Sequence, residues 1–288
     1  MARKITKGGI VVLTDGELNK LTHEAAEVRK EAIKMATRAG TGHLGPALSI
    51  ADILWILYSR VMKYHPQDPS WPERDRLLLS KGHGCISLYV TLAKKGFFEE
   101  ELLKSYCAKV DTLLGGHPER KLPGIEANTG SLGHGFNIGV GMSMVAKAEQ
   151  KNYKVFTILG DGENQEGSIW EGAMSAAHYQ LDNLVAIVDR NNLQVSNFVN
   201  KVMGIEPLAE KWSSFGWGVK VIDGHDLNQL DEAFKSVPFI EGKPSVIIAN
   251  TVKGKGLPMA ENKVEWHHKA PSLQEYQEID KELGLGDL

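Results

Sequence analysis

Cysteine is scarce: the 288 residues hold two, Cys85 and Cys107. Two are too few for a disulfide framework, and they lack metal-ligand spacing, so they read as packing residues in a reducing compartment. Charge of one sign is missing too. The 33 Lys and Arg against 36 Asp and Glu leave a formal net charge of −3, and the basic residues are scattered, which argues against a nucleic-acid partner. No apolar run approaches the ~18 residues of a membrane span. The start, Met1 to Gly9, is basic, but only Ile10 to Leu13 follow as an apolar stretch, too short for a signal-peptide core. A cytoplasmic protein is expected. Internal repeats, low-complexity segments and a Gly-x-x-x-x-Gly-Lys-Ser/Thr phosphate loop are likewise absent from the sequence, the last arguing against an ordinary NTPase.

What is present is the material of one large domain, 42% hydrophobic and 24% charged. Residues 1–14 read as an arm, 15–272 as the domain and 273–288 as a charged tail with a short terminal helix. From about Glu17 to Ala39, apolar residues recur at three- and four-residue steps, predicting an amphipathic helix that stops near Gly40. A second helix is expected from Ser49 as N-cap through Val61. Leu77–Leu79 is a short apolar run, followed by a helix to Lys95 with Gly96 as its stop. Val155–Leu159 and Leu184–Val188 read as buried strands, with a helix over 166–179 between them. Val219–Ile222 and Val246–Ala249 are two more, separated by a helix around Leu227 to Phe234. Strands alternating with helices predict an α/β fold, a doubly wound and mostly parallel sheet with helices on both faces. Ligands of such sheets bind at the carboxyl ends of the strands. The glycine-rich segment 113–141 admits two readings, a flexible loop feeding a tightly packed helix or a backbone that approaches a ligand closely.

The chemistry concentrates at two strand ends. Gly160 and Gly162 flank Asp161 and permit a sharp strand-to-helix turn whose N–H groups can meet an anion. Asp161 supplies one hard oxygen. The next strand ends at Asn191-Asn192, thirty residues on, where Asn191 supplies an amide oxygen and Leu193 can add a backbone carbonyl. Magnesium takes about six oxygens, usually a few from protein and the rest from phosphates and water. A lone Gly-Asp-Gly is more often a turn than a metal site; the pair of strand ends is far more specific.

This pairing resembles the thiamine-diphosphate fingerprint of that enzyme superfamily. Within it, six motifs resemble transketolases, in the family's order: Gly42-His43-Leu44-Gly45-Pro46, Lys81-Gly82-His83-Gly84, Gly115-Gly116-His117-Pro118-Glu119, Thr129-Gly130-Ser131-Leu132-Gly133-His134-Gly135, Gln165-Glu166-Gly167 and Trp266-His267-His268-Lys269-Ala270-Pro271. The resemblance covers roughly residues 20–270. It implies that Asp161, Asn191 and the Leu193 carbonyl bind Mg2+ (or Ca2+ or Mn2+ in its place). It implies that Gly162 and His83 contact the diphosphate of thiamine diphosphate with His267 nearby, that Gly130, Leu132 and Gly160 lie along the cofactor, and that Glu166 joins a carboxylate network between cofactor sites. His43, His117 and His267 would face the sugar substrate and, together with Glu166, would be the catalytic groups. Three positions depart from the family: Leu44 stands where Pro is usual, His134 where Gln is common, and His268 where Gly is usual. The last leaves a choice of register between His267 and His268, with His267 preferred because it follows Trp266.

Transketolases transfer a two-carbon ketol unit from a ketose phosphate to an aldose phosphate. By resemblance, the glutamate and aromatic surface that serve the cofactor's pyrimidine belong to a second α/β domain, and the sequence holds one domain's worth. The expected partner is therefore a C-terminal transketolase subunit carrying the pyrimidine-binding domain, with two copies of each chain. The alternatives are a related ketol-transfer enzyme for an unusual sugar, another thiamine-dependent enzyme subunit, and a non-catalytic cofactor-binding module.

Overall fold

The computed structural model describes residues 6–7, 10–11, 13–109 and 112–288. Of the expected arm, β1 (Thr6–Lys7) and β2 (Ile10–Val11) pair antiparallel; residues 1–5, 8–9 and 12 lie outside the described residues. The first long helix, α1 (Asp15–Ala39), begins two residues before the apolar pattern because Thr14 and Glu17 form a capping box, and it ends at Gly40, φ 63°.

The expected second helix is present, with a different start and end. A separate short helix, α2 (Leu44–Leu48), precedes it; the helix itself forms as α3 (Ala51–Ile56), and its last part is a π-helical turn over Leu57–Val61 rather than α-helix. Ser49 is not its N-cap. The single Ser49 hydroxyl proton has Asp189 Oδ2 at 2.7 Å as its nearer acceptor, with the Pro46 carbonyl at 3.0 Å. A buried carboxylate is the stronger acceptor, and it outcompetes the local capping role.

The remaining chain alternates as expected: β3 (Arg76–Leu79), α4 (Cys85–Lys94), α5 (His134–Ala148), β4 (Val155–Gly160), α6 (Gly167–His178), β5 (Leu184–Arg190), α7 (Val199–Val202), α8 (Leu208–Ser214), β6 (Gly218–Asp223), α9 (Leu227–Lys235), β7 (Ser245–Asn250) and α10 (Leu273–Leu283). The last five strands in this series form one parallel sheet in the order β3-β4-β5-β7-β6. Strand alternation sorts the side chains onto two faces. Leu77, Leu79, Phe156, Ile158, Val185, Ile187 and Ile247 pack toward α1, α3, α4 and α9. Leu78, Val155, Leu159, Leu184, Ala186, Val188 and Ile248 pack toward α5, α6 and α8. Burying each of the Leu, Val, Ile and Phe side chains contributes about 1.5–3 kcal/mol, and both faces are covered, as a parallel sheet requires. The tail joins the first of these cores through Tyr276 and Ile279 of α10. Among the described residues no helix is long and apolar enough to cross a membrane.

The sheet order positions the site. β4 and β5 are adjacent and central, with Gly160 paired opposite Asp189. Asp161 and Asn191 therefore leave neighbouring strands at the same edge of the sheet.

Candidate active site

Asp161 follows β4 directly and opens a 3-10 turn over Gly162–Gln165. Its carboxylate accepts the Gly162 N–H at 2.7 Å and the Asn192 N–H at 2.5 Å, so the turn after β4 and the turn after β5 share one acceptor. Burial raises its pKa to about 6, with the Asp189 charge adding to the effect. Asn191 is buried; its Oδ1 accepts the Leu193 N–H at 3.1 Å. The Leu193 carbonyl carries the Lys253 ammonium at 2.9 Å, and the same Nζ lies 2.8 Å from His267 Nδ1. Burial foremost, then the Lys81 charge, lowers the Lys253 pKa to about 8.

The histidines approach this edge from separate segments. His43 precedes α2, His83 lies in the 3-10 turn before α4, His117 is in a loop, and His267 follows the turn Val264–Trp266. Their rings gather around His43, with centroids 5.3 Å (His83), 5.9 Å (His117) and 5.5 Å (His267) away. Two glycines allow the gathering. A Cβ on Gly130, which sits at φ 150°, would fall 2.8 Å from the His117 ring, and one on Gly82 would fall 2.7 Å from the Thr129 backbone. Within the segment 113–141, Gly130 thus lets the backbone meet the His117 ring closely, while it also lines the cleft. Burial depresses every imidazole of the group: His43 to about 4, helped by His268 and His117, and His267 to about 3, helped by Lys253. His83 lies well below its usual value and His117 is also lowered, in both cases mainly by burial. The four are neutral imidazoles near pH 7, able to donate from one nitrogen and accept at the other. They do not constitute a metal centre, because among the described residues no group of three or more His, Cys, Asp or Glu is arranged to hold a metal ion.

One cleft of about 390 Å3 takes in all twelve positions singled out from sequence: His43, His83, His117, Gly130, Leu132, Gly160, Asp161, Gly162, Glu166, Asn191, Leu193 and His267. Glu166 is exposed at its rim. His268 lies beside the cleft, its ring 4.4 Å from that of His43, so both consecutive histidines reach the same imidazole. His134 lies instead in a neighbouring groove with Asn137 and Ile138.

Sequence reading missed four charged residues of the site. Lys81 is buried against Asp189, and Lys253 is the ammonium already described. Glu163 is buried and accepts from the Gly133 N–H at 2.8 Å, the Ser80 hydroxyl at 2.5 Å and the Gly160 N–H at 3.1 Å, tying the start of α5 to the ends of β3 and β4. The available signal was a charge at the carboxyl end of an apolar strand, as at Asp189 after Leu184–Val188.

The donor set fits a hard cation with an anion beside it. Asp161, the Asn191 amide and the Leu193 carbonyl offer oxygens only. Gln194 Nε2 is buried with no partner among the described residues, and it lies against Gly162, 2.9 Å from where a Cβ would stand. An unpartnered donor in a cleft is a seat for an acceptor such as a phosphate oxygen.

A parallel sheet with this cleft at its carboxyl edge defines the class, an α/β protein, and the likeness to transketolases makes its fold the thiamine-diphosphate-binding one. The chain belongs to the transketolase family: the model described as "Transketolase, thiamine diphosphate binding domain" matches residues 21–287. It is 40% identical over 267 residues to an apulose-4-phosphate transketolase subunit of Phocaeicola vulgatus, covering 93% of this chain and 95% of that one. It is 43% identical over 249 residues to the 6-deoxy-6-sulfo-D-fructose transketolase subunit SqwG of Clostridium sp., covering 86% and 90%. Among solved structures, transketolase from Campylobacter jejuni superposes with a TM-score of 0.87 at 31% identity, over 92% of this chain and 43% of that one. The chain thus spans about two fifths of that solved transketolase.

Proposed function

We propose that this chain is the diphosphate-binding subunit of a two-subunit, thiamine-diphosphate-dependent transketolase, transferring a two-carbon ketol unit from a ketose phosphate to an aldose phosphate. One observation carries the reading: three oxygen donors at the ends of β4 and β5 and four neutral imidazoles line a single cleft. In this reading residues 15–272 are the binding domain and 273–288 its tail. Asp161, Asn191 and the Leu193 carbonyl hold Mg2+; Gly162 and His83 meet the diphosphate, with Gly130, Leu132, Gly160 and His267 alongside; Glu166 belongs to a carboxylate network between cofactor sites. Bound thiamine diphosphate supplies the electron sink that carbon–carbon cleavage needs. The chain's own contribution is orientation and proton handling: His43, His117 and His267, uncharged near pH 7, hydrogen-bond the sugar hydroxyls and exchange protons with them.

A partner completes the site. The matched relatives named as subunits have nearly this chain's extent, which supports a C-terminal transketolase subunit carrying the pyrimidine-binding domain, in an assembly with two copies of each. A second reading, a transketolase for an unusual sugar, is favoured by the names of those relatives and by His268 beside His43. The test is ketol transfer with thiamine diphosphate and Mg2+, by the chain alone and with its partner, over a panel of ketose donors. Turnover is expected only with the partner. Robust turnover by the chain alone contradicts the split enzyme, and cofactor binding without turnover even with the partner would favour a non-catalytic module.

A further inference from the structure

Asp189 closes the apolar run of β5 two residues before Asn191 and is fully buried. Four donors converge on its carboxylate. Oδ2 accepts from the Lys81 ammonium, from Ser49 Oγ at 2.7 Å and from Asn191 Nδ2 at 3.0 Å; Oδ1 accepts from Thr251 Oγ1. Lys81 is itself buried and makes a second bond, to the Pro46 carbonyl at 3.0 Å. A carboxylate paired with an ammonium only accepts hydrogen bonds. The end of the Asn191 amide that meets it must therefore be the nitrogen, which fixes the orientation of the amide by chemistry alone. The oxygen then points the other way. It takes the Leu193 N–H at 3.1 Å and keeps a second lone pair, on a residue that lines the cleft with Asp161.

We propose that Asp189, held by Lys81, Ser49 and Thr251, is the positioning residue that turns the Asn191 amide oxygen toward the cation of the cofactor site. The inference rests on the proposed function and adds the device that sets one of its ligands. Reversed, the amide would aim two N–H donors at a divalent cation and remove a hard oxygen from its shell. Partners behind a metal ligand typically change metal affinity about 10–100-fold when altered.

The test is Mn2+ binding in the presence of thiamine diphosphate, followed by electron paramagnetic resonance on the full chain co-purified with its partner subunit, with circular dichroism as the fold control. Asp189→Asn lets either end of the Asn191 amide face it, and is expected to weaken Mn2+ binding by about tenfold or more while the fold is retained. Asn191→Asp is the sharper variant. A carboxylate is a better hard ligand than an amide, yet here it would face Asp189, so binding is expected to fall. The exchange Asp189→Asn with Asn191→Asp restores a donor opposite a carboxylate and is expected to recover most of the loss. Wild-type affinity in a folded Asp189→Asn chain overturns the inference, as does tighter binding by Asn191→Asp. If Asp189→Asn does not fold, Asn191→Asp and the exchange decide in the same way. Loss of Mn2+ in Asp161→Ala with no change in Asp189→Asn defeats the positioning role alone; wild-type enzyme that takes up no Mn2+ with thiamine diphosphate defeats the proposed function, and this inference with it.

Discussion

The strand-end side of the cleft and its histidine side are held in different ways. At the strand ends, Asp161 accepts two backbone N–H groups, Asn191 is tied to Asp189 and Leu193, and Glu163 binds three donors. On the other side, the imidazoles of His43, His83 and His117 have no hydrogen-bond partner among the described residues, His267 meets Lys253, and the rings stand beside one another and beside His268. The first arrangement is set before any ligand arrives, which is what coordination of a small cation in a narrow range of geometries requires. The second leaves donors and acceptors free for a substrate carrying several hydroxyls. The difference teaches that damage at the two sides should separate binding from turnover.

The largest effect is expected from Asp161→Ala. It removes the only carboxylate among the three oxygen donors, and calorimetric titration should detect no binding of thiamine diphosphate with Mg2+. Binding at wild-type strength would break the comparison at once. Next come His43→Ala and His117→Ala, expected to lower kcat by about 10^2 to 10^4 with little change in cofactor affinity, the range for a lost proton-transfer group. Equal losses in binding and turnover would show that the histidine side is also a binding scaffold. Lys81→Met strips the buried Asp189 of its cation and should cost about 3–5 kcal/mol in urea unfolding, whereas removing an imidazole should cost far less.

The smallest effect is one of pH. Burial and Asp189 raise the Asp161 pKa to about 6, so below that pH a proton would compete with the proposed cation. Cation affinity should fall about tenfold per pH unit there. His43, lowered to about 4 by burial and its charged neighbours, stays neutral through the same window. Cofactor affinity and activity measured between pH 7 and 5 should decline together, and high added Mg2+ should restore activity. An acid loss that Mg2+ does not rescue would place the controlling group on the histidine side.

Much of this was legible in the sequence because its signals are local. Apolar runs ending in Gly160-Asp161-Gly162 and Asn191-Asn192 mark strand ends, and strand ends in a parallel sheet share an edge. The histidines were legible through their motifs, since nothing in their spacing says that residues 43, 83, 117 and 267 meet. What stayed hidden is set by contacts between distant segments. Ser49 looks like an N-cap until Asp189, 140 residues away, claims its hydroxyl. Lys81 and Asp189 are separated by 108 residues, and Lys253 reaches a carbonyl 60 residues before it. Each reads alone as an ordinary polar residue, and only the packing of β5 against β4 and β7 gives it a partner.

The central claim is that the ends of β4 and β5 jointly hold one divalent cation, and a crystal structure of the assembled enzyme with Mn2+ and thiamine diphosphate tests it most directly. The expected result is a single anomalous peak bonded to the Asp161 carboxylate, the Asn191 amide oxygen and the Leu193 carbonyl, with Lys253 displaced from that carbonyl or shifted along it. A peak elsewhere, or one bonded to Asp161 without Asn191, would contradict the account.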